Sequence, residues 1–284
     1  MAGVSMKDIK SRIKSMESTR QITKAMEMVA SSKLRGAQER VIASRPYFEI
    51  LYRTMHDIAD ANTDLTSPYV QPPRGEKTCY VVIAGDRGLA GGYNSNVLKL
   101  AKSLMQGKDA VVLPVGKKAA EYFKNCRIPL LNTLYPVAEN VNAGECYTMA
   151  NSLCKEYLKG TFDQVVLVYT NFVTVLTQMP GSLPLLPMSI VGSGKKKEGG
   201  KMLTIYEPDS VSVFNAIVPE FLGGVIYGAL RESLCSEQAA RRTAMDSATK
   251  NADEMIGDLS LQYNRARQGA ITQEITEIVA GAEQ

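Results

Sequence analysis

The fold is decided by residues 11–41, SRIKSMESTRQITKAMEMVASSKLRGAQERV, where apolar side chains return mostly every three or four positions. This period matches one face of an α-helix. Followed outward, the pattern runs from about Ser5 to Ile58 with one proline, Pro46, and predicts a helix of about 50 residues, roughly 75 Å long. Such a length exceeds that of the usual globular helix and indicates a coiled coil. The apolar stripe consists of Ile9, Ile13, Met16, Ile22, Met26, Val29, Leu34, Ala37 and Val41.

A second long helix is predicted from Pro219 to the end of the sequence. Pro219 suits a first helical position, where a missing N–H leaves no hydrogen bond unmade, and no proline follows it. The resulting helix has roughly 65 residues and spans about 100 Å. Its apolar stripe consists of Leu230, Leu234, Ala244, Met245, Ala248, Ala252, Met255, Ile256, Leu259, Ala266, Ile271, Ile275, Ile278 and Val279.

Charge favours pairing of these two helices with each other. Residues 1–58 hold eleven Lys and Arg against six Asp and Glu, a net charge of +5, whereas residues 219–284 hold six against ten, a net charge of −4. The like charge on each helix disfavours its pairing with a second copy, and the opposite charges of the two helices favour their pairing with each other. We therefore predict one antiparallel coiled coil of the N- and C-terminal helices. Because the C-terminal helix is longer, its apolar tip should project alone and require an apolar sleeve from another protein.

An α/β domain is predicted between the helices. Three apolar, β-branched stretches are candidate strands: CYVVIAG (79–85), AVVLPV (110–115) and DQVVLVYTNF (163–172). They alternate with candidate helices at 95–105, 117–125 and 143–158. Alternating strands and helices predict a Rossmann-like α/β domain with a mostly parallel sheet.

Proline and glycine mark the boundaries of this plan. DLTSPYVQPPRGEK (64–77) carries three prolines and a glycine and is predicted to be a linker. GSGKKKEGGK (192–201) is predicted to be a solvated hairpin tip. The predicted division is therefore an N-terminal helix at 1–63, a linker at 64–77, an α/β domain at 78–208 and a C-terminal helix at 209–284.

Composition excludes several classes of protein. The net charge of +4 over 284 residues is too mild for a nucleic-acid-binding surface, which needs a dense basic stripe with stacking aromatics. Five cysteines at 79, 126, 146, 154 and 235 form no CxxC pair and predict free thiols in a reducing compartment, with no metal site. No apolar run approaches the roughly 20 residues that span a bilayer, so we expect a soluble, intracellular protein.

The glycine-rich stretch GDRGLAGG (85–92) follows the first candidate strand and precedes a helix. No Lys-Ser/Thr follows it, and its spacing is GxxGxxGG instead of the GxGxxG of dinucleotide sites. Asp109, about 20 residues on, does not end a second strand as a ribose ligand should. We therefore predict a structural turn or subunit contact in preference to a cofactor site. The turn residues are Asp86, Arg87, Gly88, Gly91 and Gly92.

Four stretches resemble one family, the gamma subunit of F-type ATP synthases. They are QITKAMEMVASSKLR (21–35), AGDRGLAGGYNSN (84–96), SLCSEQAARRTAM (233–245) and YNRARQGAITQEITEIVAGA (263–282). The resemblance covers both ends and the start of the middle domain, in the family's order. The insertion with a redox-switch cysteine pair of chloroplast members is absent, which indicates a bacterial type.

The resemblance implies a non-catalytic rotor. In that family the terminal helices form a shaft inside a ring of alternating alpha and beta subunits. The α/β domain forms a foot that meets the epsilon subunit and the membrane ring of c subunits. Rotation couples proton or sodium flow to ATP synthesis. The resemblance thus implies no cofactor and no catalytic residue, with membrane association through the complex alone, peripheral to the cell membrane on its cytoplasmic side.

The resemblance also implies contact residues. Those expected to touch beta subunits are Lys24, Met26, Lys33, Arg35, Arg265, Arg267, Gln268, Thr272, Glu274 and Glu277. Those expected at the foot, toward the c ring or epsilon, are Tyr206, Glu207 and Asp209. On composition alone these are also ordinary solvated helix positions. The physics without the resemblance fits a coiled-coil adaptor with an α/β head equally well, and that alternative stays open at this point.

Overall fold

The computed structural model describes residues 5–61, 66–132, 136–188 and 206–282. The elements, in chain order, are α1 (Met6–Ala61), β1 (Thr78–Ile83), α2 (Tyr93–Met105), β2 (Ala110–Val115), α3 (Lys117–Asn125), α4 (Ala143–Leu158), β3 (Gln164–Phe172), β4 (Gln178–Leu186) and α5 (Ser210–Ala282). The chain divides into two compact units. We call residues 1–32 with 241–284 the helical unit, and residues 33–240 the α/β unit. The predicted hairpin tip at 192–201 lies outside the described residues.

A mixed four-stranded sheet forms the centre of the α/β unit, in the order β2-β1-β3-β4. β1 pairs in parallel with β2 and with β3, while β4 is antiparallel to β3. Every residue of β1 is buried, because alternate side chains enter two separate cores. Cys79, Val81 and Ile83 join the core formed with α4 and α5, and Tyr80 and Val82 join the core formed with α2 and α3.

The fourth strand was not expected from the sequence. β4, QMPGSLPLL, contains two prolines and a glycine, which are poor strand formers. Pro180 lies opposite Thr170 and Pro184 opposite Val166 in the ladder with β3. A proline has no N–H to give to a ladder, so both must turn that backbone position away from β3 toward the open edge of the sheet. Prolines are therefore compatible with β4 because it is an edge strand in the described part of the chain.

Helix α5 begins at Ser210, so the expectation that Pro219 occupies a first helical position is wrong. The Asp209 carboxylate accepts hydrogen bonds from the Ser212 backbone N–H (2.8 Å) and hydroxyl (2.6 Å), which satisfies the first turn. Pro219 lies inside the helix. Burial of neighbouring apolar side chains in the core outweighs the lost hydrogen bond. The fully buried ones nearby are Phe214, Val218 and Leu222.

The apolar first part of α5 is a core helix. An 18-residue window of α5 has the length and composition of a membrane span, and 44% of that window is buried inside the protein. A Cβ on Gly223 would come 2.9 Å from the Cα of Tyr147, so glycine lets α5 approach the backbone of α4 closely. Packing of this kind accounts for the apolar length of the helix.

In the helical unit, α1 and α5 run antiparallel. Thr23 and Thr249 share a hydrogen bond of 2.8 Å, and Arg20 lies 3.2 Å from Asp253. Three residues back along α1 therefore correspond to four residues forward along α5. The buried seam positions recur at steps of seven or multiples of seven, as in a coiled coil. They are Ile9, Thr23 and Ala30 on α1, and Met245, Ala252 and Leu259 on α5.

This seam differs from the stripe expected from the sequence. Ile22 and Val29 were expected in it, but each is 57% exposed, and Met255 is 48% exposed. The sequence contains more apolar residues than one seam needs, and small or polar residues such as Ala30 and Thr23 occupy buried positions. Hydrophobicity alone therefore misassigned the facing residues.

The burial of α5 against other residues ends near the C-terminus of the helix. Partly buried positions recur up to Ala270, and every residue from Ile271 to Val279 is exposed. Ile278 is 71% exposed and Ile275 is 56% exposed. The expected apolar tip without a partner helix is thus present in the structure.

Candidate partner-contact sites

On α1 of the helical unit, Lys24 is an exposed cation beside a half-buried Met26. The Lys24 ammonium lies 2.9 Å from the carboxylate of Glu27, one turn further along the same helix. Pairs at this spacing stabilise a helix by about 0.2–0.5 kcal/mol. The pair therefore orients Lys24 without binding it firmly, and a stronger acidic partner can displace Glu27.

Lys33 and Arg35 belong to the α/β unit, so the structure does not join them with Lys24 and Met26 into one described site. The Lys33 ammonium contacts the Glu139 carboxylate at 2.5 Å. Both side chains are about half exposed, so this pair contributes at most about 1 kcal/mol. Arg35 is exposed. Glu139, which precedes α4, was absent from the sequence prediction because no local motif marks it.

The polar residues near the end of α5 face solvent. Arg265, Arg267 and Gln268 are exposed, and their side chains make no hydrogen bond or ion pair within the described residues. Thr272 donates its hydroxyl proton to the backbone oxygen of Gln268 at 2.9 Å. Glu274 and Glu277 are also exposed, and Glu277 accepts a hydrogen bond of 2.9 Å from Gln273. The Arg267 guanidinium and the Gln268 amide thus have hydrogen-bonding groups free for a partner, just before the stretch of α5 in which every residue is exposed.

The predicted foot residues lie at the start of α5. Tyr206 is half-buried against the core, and Glu207 is exposed. Hydrogen bonds from Ser212 hold the pKa of Asp209 below its usual value. Since the Asp209 carboxylate caps its own helix, it has less capacity for a partner than Glu207 has.

The glycine-rich loop after β1 is held by side chains of its own domain. The Asp86 carboxylate accepts the backbone N–H of Lys117 at 2.9 Å and that of Glu139 at 3.3 Å. Asn94 accepts the N–H of Gly85 at 2.8 Å and donates to the carbonyl of Arg87 at 3.1 Å. Asp86 thus connects the loop to the start of α3 and to the segment before α4.

Backbone conformation explains part of the glycine content around this loop. Gly91 has φ +54, a left-handed conformation that glycine adopts readily. Arg87 and Gly88 are exposed and Gly92 directly precedes α2. Gly116, which follows β2, has φ +90, and a Cβ there would overlap the carbonyl oxygen of Ala84. The carboxyl ends of β1 and β2 therefore approach each other closely, at the sheet edge where nucleotides bind in other α/β folds.

Thr23 and Thr249 were also missed by sequence reasoning. Their hydroxyl oxygens lie 2.8 Å apart inside an otherwise apolar seam. One hydroxyl donates its single proton to the other, and the accepting hydroxyl donates to a carbonyl of its own helix, either Thr23 to Arg20 at 3.1 Å or Thr249 to Met245 at 2.9 Å. The seven-residue repeat through Thr23 is the signal that could have revealed this buried polar pair.

Antiparallel pairing of the first and last helices, with a mixed α/β unit between them in sequence, is the arrangement of a coiled-coil stalk subunit. A family model described as ATP synthase matches residues 5–284. The ATP synthase gamma chain of Ruminococcus albus is 48% identical over 279 residues, covering 96% of each chain. The sodium-ion-specific ATP synthase gamma chain of Acetobacterium woodii is 42% identical, covering 98% of each chain.

Solved structures share the fold. A chain of the central stalk and c-ring of the Tetrahymena thermophila mitochondrial ATP synthase is 25% identical with a TM-score of 0.62, covering 80% of this chain and 99% of that one. A chain of the Euglena gracilis mitochondrial enzyme has a TM-score of 0.65 at 19% identity, covering 97% and 92%. The chain therefore belongs to the family of bacterial ATP synthase gamma chains, the central-stalk subunits of that enzyme complex. Membership argues against the adaptor alternative.

Proposed function

We propose that this chain is the rotor that couples ion flow through a membrane ring of c subunits to ATP synthesis or hydrolysis in an alpha–beta ring. The observation that carries the proposal is the end of α5, where Ile271 to Val279 are all exposed. Exposed apolar residues at this density require a partner surface. A ring that encloses the helix supplies that surface without forming a fixed bond to it.

Coupling requires different contacts with each beta subunit. The helical unit presents unlike faces around its axis, with a cation at Lys24 on α1 and the polar pair Arg267 and Gln268 on α5. A beta subunit that meets one face has a different preferred conformation from one that meets another. Turning the helices exchanges those preferences, and differential contact is the thermodynamic requirement for one site to alter another.

The beta-subunit contacts are proposed in two groups. Lys24, Met26, Lys33 and Arg35 form the basic group on α1, although Lys33 must leave or share its partner Glu139. The second group lies along α5 and consists of Arg265, Arg267, Gln268, Thr272, Glu274 and Glu277. Arg267 and Gln268 are the principal members, because their side chains are exposed and unpaired in the described residues.

The foot of the rotor is proposed to lie at the start of α5. Tyr206, Glu207 and Asp209 are there, and they would meet the c ring or the epsilon subunit. Through these contacts the chain would be peripheral to the cell membrane on its cytoplasmic side. The coupling ion is a proton or sodium.

The chain itself is proposed to carry no catalytic site and no cofactor. The loop at Asp86–Gly92 lacks the lysine that phosphate loops use. Asp86 and Asn94, its best polar groups, are already engaged with the backbone of their own domain. The purified chain should therefore give no heat of ATP binding in calorimetry, and tight binding would contradict this part of the proposal.

The test of the rotor is Arg267→Ala and Gln268→Ala in the assembled complex. Charge-assisted hydrogen bonds contribute about 1.5–3 kcal/mol each, so steady-state ATPase activity should fall about tenfold or more in Arg267→Ala. Alanine is the best helix former, so assembly should be normal. Asn251→Ala, at an exposed position of α5 well before the tip, is the matched control. Wild-type ATPase rates in both tip variants would show that these residues are only solvated helix surface.

A further inference from the structure

The tip of the hairpin between β3 and β4 exposes apolar side chains. Leu176 is 81% exposed, more than any other large hydrophobic residue among those described, and Val173 is 55% exposed. Single exposed apolar residues are common on protein surfaces. Two of them within one ordered turn form a small projecting apolar surface. We call this turn, Val173–Thr177, the hairpin tip; it is a different segment from the hairpin predicted at 192–201.

Hydrogen bonds fix the shape of the hairpin tip. The Thr174 hydroxyl accepts the backbone N–H of Leu176 at 3.3 Å and that of Thr177 at 3.0 Å. The Gln178 side chain donates to the carbonyl of Val175 at 2.7 Å. A turn ordered by its own bonds loses little conformational entropy when it binds, so its exposed leucine is available as a preorganised anchor.

Packing at its base holds the hairpin tip against two helices. Val175 and Phe172 pack on a small buried cluster formed by Leu34 of α1 with Cys235 and Ala239 of α5. Leu34 is 3% exposed and Cys235 is fully buried. The base of the hairpin tip is therefore anchored on both long helices, while Leu176 itself stays exposed.

The position of the hairpin tip within the α/β unit selects its partner. Leu34 and Ala239 lie within two residues of the limits of that unit, Lys33 and Ala240. Asp209, one of the proposed foot residues, lies 30 residues before Ala239 along α5, which is about 45 Å of helix. The hairpin tip and the proposed foot are thus at opposite ends of this stretch of α5.

We propose that the hairpin tip docks, through Leu176 and Val173, on an apolar surface that each beta subunit of the alpha–beta ring presents in turn as the chain rotates. The inference rests on the proposed function, which gives the foot to the c ring and the other end of the α/β unit to the ring. Extension of the sheet by a partner strand is a poorer mode, because Pro180 and Pro184 remove donors from the edge of β4. Binding through the exposed side chain of Leu176 is the mode that fits this surface.

The test is Leu176→Ser in the full chain, with binding to purified alpha–beta ring as the readout. If Leu176 becomes buried in the complex, its replacement by serine should raise the dissociation constant for the ring about tenfold or more. Leu176→Met keeps an apolar side chain of similar size and should bind like the wild type. Leu158→Ser, at a 48% exposed position at the end of α4, is the matched control and should change nothing. Thermal melting of each variant checks folding, and exposed Leu176 makes little contribution to it.

Three outcomes separate the ideas. Equal ring binding by wild type and Leu176→Ser overturns the docking inference and leaves the rotor proposal standing. A wild-type chain that fails to bind the ring overturns the rotor proposal itself. Unchanged ring binding with reduced retention of epsilon or of the c ring assigns the hairpin tip to that partner and also overturns the inference.

Discussion

The two units of the chain use apolar residues in opposite ways. In the α/β unit, β1 is wholly buried and its side chains fill cores on both faces of the sheet. In the helical unit the seam is narrow, and much of the apolar surface remains outside it. The exposed large hydrophobic residues there include Ile22, Met28, Val29, Met255, Leu261, Ile271, Ile275 and Ile278. The α/β unit has a filled core on both faces of its sheet and exposes large apolar residues at a few places such as the hairpin tip, whereas the helical unit exposes them along much of its length.

The difference has an energetic consequence. Isolated helices depend on packing of an amphipathic face for most of their stability. A seam with Ala30, Thr23 and Ala252 at buried positions removes less apolar area from water than the β1 core does. We therefore expect the helical unit to open more readily than the α/β unit in the chain without partners. Three measurements test the packing of the two units on which this expectation rests.

The largest effect is expected from Gly116→Ala in the α/β unit. The new Cβ would overlap the Ala84 carbonyl oxygen, and φ +90 is unfavourable for alanine. The free energy of unfolding in denaturant should fall by at least about 3 kcal/mol. Gly107→Ala is the control, since Gly107 has φ +75 with open space around its Cβ position, and it should cost only about 1–2 kcal/mol. Equal losses in the two variants would show that backbone strain, and not close packing at Gly116, is the cause.

A smaller and more local effect is expected from Ala252→Asp in the helical unit. Ala252 is 3% exposed, and an unpaired carboxylate there should cost about 2–3 kcal/mol of helix pairing. Hydrogen exchange should accelerate at residues 5–32 and 241–282 while β1 and β3 stay protected. Asn251→Asp introduces the same carboxylate at the exposed neighbouring position and should leave exchange unchanged. Loss of protection in the sheet would mean that the two units unfold together.

The smallest effect concerns alkaline pH and Cys79. Burial raises the pKa of the Cys79 thiol from 9.0 to about 12. Above pH 9 the unfolded chain releases this proton and the folded chain keeps it, so stability is complete below pH 9 and declines as pH rises toward 12. Cys79→Ala should therefore reduce the alkaline loss of unfolding free energy by about 1.4 kcal/mol per pH unit.

Denaturant unfolding under reducing conditions at pH 8 to 10.5 measures that slope. Cys126→Ala, which removes a partly exposed thiol, controls for the loss of one cysteine. Identical slopes in wild type and Cys79→Ala would contradict the assigned role of burial.

Sequence periodicity predicted the α/β unit closely where propensity and packing agree. The bounds of β2, α3 and α4 were those expected, because each has a consistent apolar pattern and clear ends. β4 was missed because edge position, a tertiary property, is what tolerates its prolines. The apolar pattern of α5 predicts a first helical position at Pro219, nine residues after Ser210, although the predicted division starts the C-terminal helix at 209; burial of its neighbours is what keeps Pro219 inside the helix.

The contact residues were less accessible to sequence reasoning. The partner of Lys33 is Glu139, 106 residues away, and no local pattern connects them. The seam depends on which of several apolar positions face the other helix, so Val29 was chosen where Ala30 is buried. Arg267 and Gln268 came from the resemblance, and their role depends on a surface that belongs to another chain.

The prolines of β4 also affect the life of the chain before assembly. Within the described part of the chain no strand pairs with the outer side of β4, and uncovered sheet edges recruit identical chains into aggregates. Pro180 and Pro184 interrupt the row of donors that a second copy would need for such recruitment. A cell can therefore hold a reserve of unassembled subunit at lower risk of edge-to-edge aggregation, with the prolines acting as a built-in safeguard of biogenesis.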